Sequence, residues 1–232
     1  MATSAQSDVI EVSGADTLSE RAAILVEQDI IAGNLPPGAR LGIVDLARRY
    51  GIGATPLREG LSRLVSRGLI IGIGQRGFRV ADVSREDLSD ITRMRTVVEM
   101  EALRLAIRHG DDAWEAGILG ALHQMRRHIE RTGNEFREGA PDFDRLHKAF
   151  HTALLATCGS KRLLAAHSDL YDQAYRYRRV MMRGFDSGKK FVADHQLLAD
   201  RVLARNVEPA RAMLKAHLRS TLYLVYPTGK RK

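Results

Sequence analysis

Apolar positions near the start of the chain recur at intervals of three and four, the spacing that puts them on one face of a helix. Leu18, Ala22, Leu25, Val26 and Ile30 form such a face, with Thr17 or Ser19 placed to cap it. Gly33 and Asn34 stop the helix, and Pro36-Pro37-Gly38 make a turn. A second helix is predicted over 43–50, with Val44, Leu46 and Ala47 inward, closed by Gly51. A third begins near Thr55-Pro56, where a proline costs no helical hydrogen bond. Its predicted inner face is Leu57, Leu61, Leu64 and Val65, and Gly68 ends it. Two β-prone runs follow, 69–73 and 78–81, around a turn rich in Gly and Gln. Three helices and then a hairpin is the winged helix-turn-helix plan.

The texture changes at Ser84, which with Asp87 has the look of a helix start. Helical periodicity then runs over about 85–108, 112–132, 141–157, 160–184, 188–204 and 207–224. Breaks fall at Gly110, Gly133, Gly139–Pro141, Gly159, Gly184–Gly188 and Asn206. The expected fold is mainly α: an N-terminal winged helix-turn-helix plus a C-terminal all-α helical bundle. The expected division is a flexible tail over 1–16, a winged domain over 17–82, and an all-helical domain over 83–232.

Composition narrows the function. The 232 residues are 44% apolar and 28% charged, ordinary for a globular protein. The net charge of +8 favours a polyanionic partner. Cys158 is the single cysteine, so no internal disulfide can form. No apolar run approaches the roughly 20 residues that span a membrane, and the first sixteen residues lack a signal-peptide pattern. The expected location is the cytoplasm.

The charge is concentrated. From Arg40 to Arg79 there are eight arginines against Asp45 and Glu59, a local excess of six. With the apolar stripe of the third helix turned inward, Thr55, Arg58, Ser62 and Arg63 face outward. Recognition helices read bases mainly through their N-terminal half, and arginine can bridge guanine O6 and N7. Arg48 and Arg49 before the turn, and Arg76, Gly77 and Arg79 on the wing, are placed for phosphates. The other reading of each arginine is a solvated surface cation.

The stretch IIAGNLPPGARLGIVDLARRYGIGATPLREGLSRLVSRGLIIGIGQRGFRV resembles the N-terminal domain of the GntR family of bacterial transcription regulators. That family shows G-x-L-x-P-G-x-x-L, then LA, then G-V-S-x-T-P-V-R-E-A-L, then G-L and a G-F-x-V wing. This sequence departs from it at Gly53, where the family has a serine cap, and at Ala54, where it often has a base-contacting arginine. The remainder resembles the FCD type of effector domain, with Arg95 and Glu99 matching an R-x-x-x-E in its first helix. HKAFHTALLATCGS and LYDQAYRYRR look closer still to the glutarate-responsive repressors of the CsiR/GlaR type.

His147 and His151 are four apart, a spacing that lets two imidazoles share a metal. Ordinary core histidines would show the same spacing. The resemblance implies more: FCD domains place Asp-x-x-x-His and one histidine on each of two later helices around a divalent metal. The matching residues here are His147, His151, His195 and His217, with His147 at the aspartate position. Four imidazoles suit zinc, or alternatively nickel, rather than magnesium or calcium. His109, His123, His128 and His167 read as surface or ordinary polar residues.

Arg95 borders an apolar stripe of Ile91, Met94, Val98 and Ala102. It points inward to meet a carboxylate, or else pairs with Glu99 along its own helix. Tyr175 and Arg178, three apart, can line one wall of the same pocket, with Tyr171 a turn before them. Arg179 reads as part of a solvated basic face. The expected function is a ligand-responsive DNA-binding repressor that acts as a homodimer on palindromic double-stranded DNA and is released by a small carboxylate, such as glutarate or 2-hydroxyglutarate, bound near the metal centre. The alternative is a metal-dependent enzyme on a small organic acid with a DNA-binding appendage. No H-E-x-x-H and no G-x-S-x-G supports that alternative, so the expectation is a protein without catalytic residues and without a membrane partner.

Overall fold

A computed structural model describes residues 17–133, 141–181 and 188–227. The expected tail, the break at Gly139–Pro141 up to residue 140, and most of the break at Gly184–Gly188 lie outside the described residues. The chain divides into two compact units, one made of residues up to 30 with 35–81, the other of 31–34 with 82 onward.

The first unit runs α1 (Leu18–Ile31), β1 (Arg40–Leu41), α2 (Ile43–Tyr50), α3 (Ala54–Ser66), β2 (Ile70–Gly72) and β3 (Phe78–Val80). Thr17 and Glu20 cap α1 reciprocally: the Glu20 N–H donates to the Thr17 hydroxyl, and the Thr17 N–H to the Glu20 carboxylate, both at 3.2 Å. Gly51 closes α2 at φ 64°, a left-handed conformation that favours glycine. The strands form an antiparallel sheet in the order β1-β3-β2. β1 was not foreseen, because two residues carry no alternation to detect. The core holds Val26, Ile30, Leu46, Leu57, Leu61, Leu64, Leu69 and Val80.

Three expected inward positions are turned out: Leu18 at 57% exposure, Val44 at 70% and Val65 at 38%. Each lies at the margin of its stripe, and α2 is only eight residues long, so the burial of Leu46 orients it. α3 approaches α1 at Gly60. A Cβ there would stand 2.7 Å from the Ser19 carbonyl oxygen and 2.9 Å from the Ala23 nitrogen.

The second unit comprises α4 (Arg85–His109), α5 (Asp112–Thr132), α6 (Pro141–Leu155), α7 (Lys161–Met181), α8 (Gly188–Leu203) and α9 (Val207–Val225). No strand occurs in it among the described residues. α4 packs on α7 and α9, while α5 packs on α6 and α8. Side-chain caps start two of these helices. Ser84 accepts from the Asp87 N–H at 3.0 Å, and Asp111 accepts from the Trp114 N–H at 2.8 Å. The main core is aromatic and aliphatic, around Leu103, Ile118, Phe143, Phe150, Leu198 and Leu214. Met94, assigned to the apolar stripe of α4, is instead 49% exposed. It is neighbour to Arg95, whose burial turns Met94 outward by about 100° around the helix.

Gly60→Ala is expected to cost about 1–3 kcal/mol by overpacking against backbone. Gly117, exposed on α5 with open space around its Cβ position, should instead accept alanine with a gain of up to about 1 kcal/mol. Denaturant midpoints of the two variants check the contrast, and equal midpoints would contradict the close α1–α3 approach.

Candidate functional site

In the first unit, the side chains expected to meet DNA divide into two groups. Thr55, Arg58, Ser62 and Arg76 are exposed. The Arg58 side chain makes no hydrogen bond or ion pair among the described residues, and Ser62 donates to the Arg58 carbonyl at 2.9 Å. Arg48 is also exposed and approaches Asp45 only at 3.9 Å. Gly77 stands at φ 95° where the wing turns into β3. Arg49 and Arg63, by contrast, reach back to α1: Arg49 pairs with Asp29 at 2.7 Å and Arg63 with Glu20 at 3.2 Å. Arg79 is half-buried. Gly53 starts α3 without a side-chain cap, and the Leu57 N–H bonds the Gly53 carbonyl.

In the second unit, three helices bring the four histidines together. α6 buries Phe143, Leu146, His147, Phe150, His151 and Leu154. The two imidazoles therefore sit within an apolar stripe. His195 comes from the buried side of α8, and His217 from α9. Each of the four offers a ring nitrogen, and these nitrogens all lie within 4.8 Å of one another. Nε2 of His147 stands 2.9 Å from Nε2 of His195 and 3.0 Å from Nε2 of His151. Phe191 stacks on His195 with ring centroids 4.0 Å apart, and Phe143 stacks on His147 at 5.7 Å.

Burial dominates the protonation of this cluster. It lowers the His147, His151 and His217 pKa values well below 6.5, with Arg178 adding to the effect at His147 and His217. For His195 burial lowers the pKa to about 4, against the opposing pull of the Phe191 carbonyl. The imidazoles are thus neutral at pH 7, the state that can ligate a metal. His195 Nδ1 donates to the Phe191 carbonyl oxygen at 2.7 Å. That leaves its Nε2 lone pair facing the cluster, a usual support for a ligating histidine. His151 Nδ1 is buried without a hydrogen-bond partner among the described residues. The donor set and its convergence fit a nitrogen-preferring divalent metal.

Two arginines border the histidines. Arg95 is turned inward and also pairs with Glu99 along its own helix. It is 5% exposed, its Nε donates to Glu99 at 2.7 Å, and its Nη2 is buried with no hydrogen-bond partner among the described residues. Its guanidinium also lies over the Tyr171 ring at 5.2 Å. Burial works against the Glu99 charge, but Arg95 and His167 prevail and hold its carboxyl below the ordinary value. Arg178 Nη1 points at His147 Nδ1 from 3.4 Å, and the Tyr171 hydroxyl meets the same nitrogen at 3.1 Å. Tyr175 donates to Asp144. The side chain of Arg179 lies outside the described residues.

Two features were missed. His167 is buried beside Glu99, with Nδ1 3.2 Å from its carboxylate oxygen, and is no surface residue. Its partner comes from α4, a pairing with no local signal. Tyr171 touches the cluster more directly than Tyr175, which the helical spacing 167, 171, 175 and 178 along α7 could have suggested.

One turn of α7 faces two ways. Tyr175 and Arg178 bond Asp144 and His147. Between them, Arg176 donates to the Asp82 carbonyl at 3.1 Å, and the Tyr177 hydroxyl donates to Asp87 and accepts from the Ser84 N–H.

The FCD domain family matches residues 90–220, and the gntR family of bacterial regulatory proteins matches residues 18–80. The chain is 36% identical over 204 residues to the HTH-type transcriptional repressor GlaR of Escherichia coli, covering 86% of this chain and 92% of that protein. It is 32% identical over 225 residues to the HTH-type regulator BphR of Paraburkholderia xenovorans, covering 97% and 92%. This chain belongs to the GntR family. Within it, it is an FCD-type, GlaR-like member and a DNA-binding transcriptional regulator. The fold agrees with that of Escherichia coli McbR/YncC, with a TM-score of 0.76 at 21% identity over 91% of this chain and 98% of that one. Among the described residues no helix is long and apolar enough to cross a membrane.

The depressed histidines make stability pH-dependent. Unfolded imidazoles take up protons near pH 6.5 while the folded ones resist. The stabilisation is therefore complete above pH 6.5 and is lost as pH falls toward about 4, the His195 value. With chelator present, the denaturant midpoint should fall between pH 7 and pH 4.5. A flat or rising midpoint would contradict neutral buried histidines.

Proposed function

We propose that this regulator is a homodimeric repressor that leaves its operator when a small dicarboxylate binds beside a metal in the helical unit. The observation that carries this reading is the buried Arg95 Nη2, without a hydrogen-bond partner among the described residues, next to the four-histidine cluster. A buried guanidinium edge left unbonded costs free energy that a ligand carboxylate would recover. Arg178 adds a second cation, and Tyr175 lines the same turn of α7. A glutarate- or 2-hydroxyglutarate-like diacid matches two cations and a metal. The cluster His147, His151, His195 and His217 would surround zinc or nickel, since an imidazole set is poorly suited to magnesium or calcium. When bound, the metal supplies a Lewis-acidic anchor for a carboxylate.

The division of labour follows the domains expected from the sequence, with residues 17–82 binding DNA and 83–232 binding effector and a second copy of the chain. An isologous dimer presents two recognition helices to a palindromic site. Arg58 is the leading base reader, with Thr55 and Ser62 beside it, while Arg48, Arg76 and Gly77 approach phosphates. Arg49 and Arg63 take part only through partial release from Asp29 and Glu20, both of which remain reachable by solvent. Such a protein works in the cytoplasm, where its DNA is.

With an operator selected from random double-stranded DNA, Arg58→Ala should cost about 1–3 kcal/mol and relax preference at its base, whereas Arg76→Ala should weaken all sequences alike and reduce the salt slope by about 1. Fluorescence anisotropy against salt separates the two. Calorimetry of metal-loaded protein should show glutarate-like diacids binding, and weaker binding in Arg95→Gln. No heat with any four- to six-carbon diacid would sink the effector assignment.

A further inference from the structure

The four histidines do not have equivalent surroundings, and hydrogen-bond direction separates one from the rest. A carbonyl oxygen can only accept, so the contact from Phe191 places the proton of His195 on Nδ1 and the lone pair on Nε2. A guanidinium N–H can only donate. The contact from Arg178, at 3.4 Å, is a hydrogen bond when the lone pair of His147 is at Nδ1 and its proton on Nε2. The Tyr171 hydroxyl, which can donate as well as accept, is compatible with this. These assignments come from different helices, yet they agree at the point where the two rings meet. His147 Nε2–H donates, and His195 Nε2 accepts, across 2.9 Å. His151 Nε2, at 3.0 Å, is a second acceptor for the same proton.

A nitrogen that carries a proton has no lone pair for a metal. A ligating histidine ordinarily donates its other N–H to a carbonyl or carboxylate. At His147 that other nitrogen faces a cation instead. Resting on the metal-centre reading above, we infer that His151, His195 and His217 are the protein's metal ligands and that His147 is a hydrogen-bond donor to the anion that completes the site. Three histidines leave a position open for an exogenous oxygen ligand. A carboxylate there would accept from the His147 Nε2–H, with Arg178 holding His147 in the donating tautomer. The imidazole at the aspartate position thus changes role: a group that would bind metal is replaced by one that selects the metal's anionic partner.

Cobalt(II) titration of the full chain, followed by absorption and by competition with a chromophoric chelator, tests this. His147→Leu removes the N–H and both lone pairs, while His147→Gln keeps an N–H. Both variants should take one cobalt per chain within about tenfold of the wild-type affinity, the effect of a neighbouring group. His151→Leu should not saturate. Glutarate should perturb the cobalt spectrum of the wild type and of His147→Gln, while His147→Leu should need at least about tenfold more glutarate. Loss of cobalt from both His147 variants, with the wild type still binding, makes His147 a ligand and overturns the assignment. A wild type that takes up no cobalt overturns the metal centre itself, and this assignment with it.

Discussion

The second unit is organised around an excess of positive charge where water is scarce. Arg95 and Arg178 are buried next to four imidazoles, and Glu99 is the one buried carboxylate among the described residues. Adding protons to that interior would stack like charges in a low-dielectric space. The histidines therefore stay neutral, aromatic rings close over them, and Glu99 stays ionised between Arg95 and His167. Under the proposed function, an entering anion would offset that excess of positive charge. A buried pair such as Arg95–Glu99 is weak evidence for stability by itself. Its value here is orientation, because the bond through Nε fixes which edge of the guanidinium is left for a ligand.

Much of the fold was legible in the sequence because helical periodicity and stop signals are local. Gly51, Gly68, Gly110 and Gly133 mark element ends, and Ser84 and Asp111 act where short polar residues precede apolar runs. The misses have local physical reasons. Leu18, Val44, Val65 and Met94 sit at stripe margins, where one neighbour's burial decides the rotation of the helix. The candidate site was legible as a set of residue types, since His147 and His151 share a face by spacing alone. Its internal logic was not. Which nitrogen of His147 bears a proton depends on Arg178, and which edge of Arg95 is left unbonded depends on Glu99 and Tyr171. His167 looked ordinary because the carboxylate that gives it meaning lies on α4, far away in sequence.

In the DNA-binding unit a charge count misleads in an instructive way. The eight arginines between 40 and 79 look like one basic surface, yet three of them, Arg49, Arg63 and Arg67, pair with Asp29, Glu20 and Glu27. The acidic residues of α1 are thus not a separate feature that dilutes the basic patch. They tie α2 and α3 to α1. Ion pairs that keep contact with solvent contribute little stability each, but together these leave Arg58, near the start of α3, with a side chain that is not committed to α1.

The turn of α7 at residues 175–178 joins two sets of bonds. Two of its side chains reach Asp144 and His147, and the two between them hold Asp82, Ser84 and Asp87, the first residues after Ala81. A helical turn moves as one piece, because its backbone hydrogen bonds fix the residues to each other. The position of the hooks at Arg176 and Tyr177 is therefore slaved to whatever Tyr175 and Arg178 grasp. Within this unit, the chain's point of departure toward the winged helix is hung from the wall of the histidine site, with no intervening element to absorb a displacement.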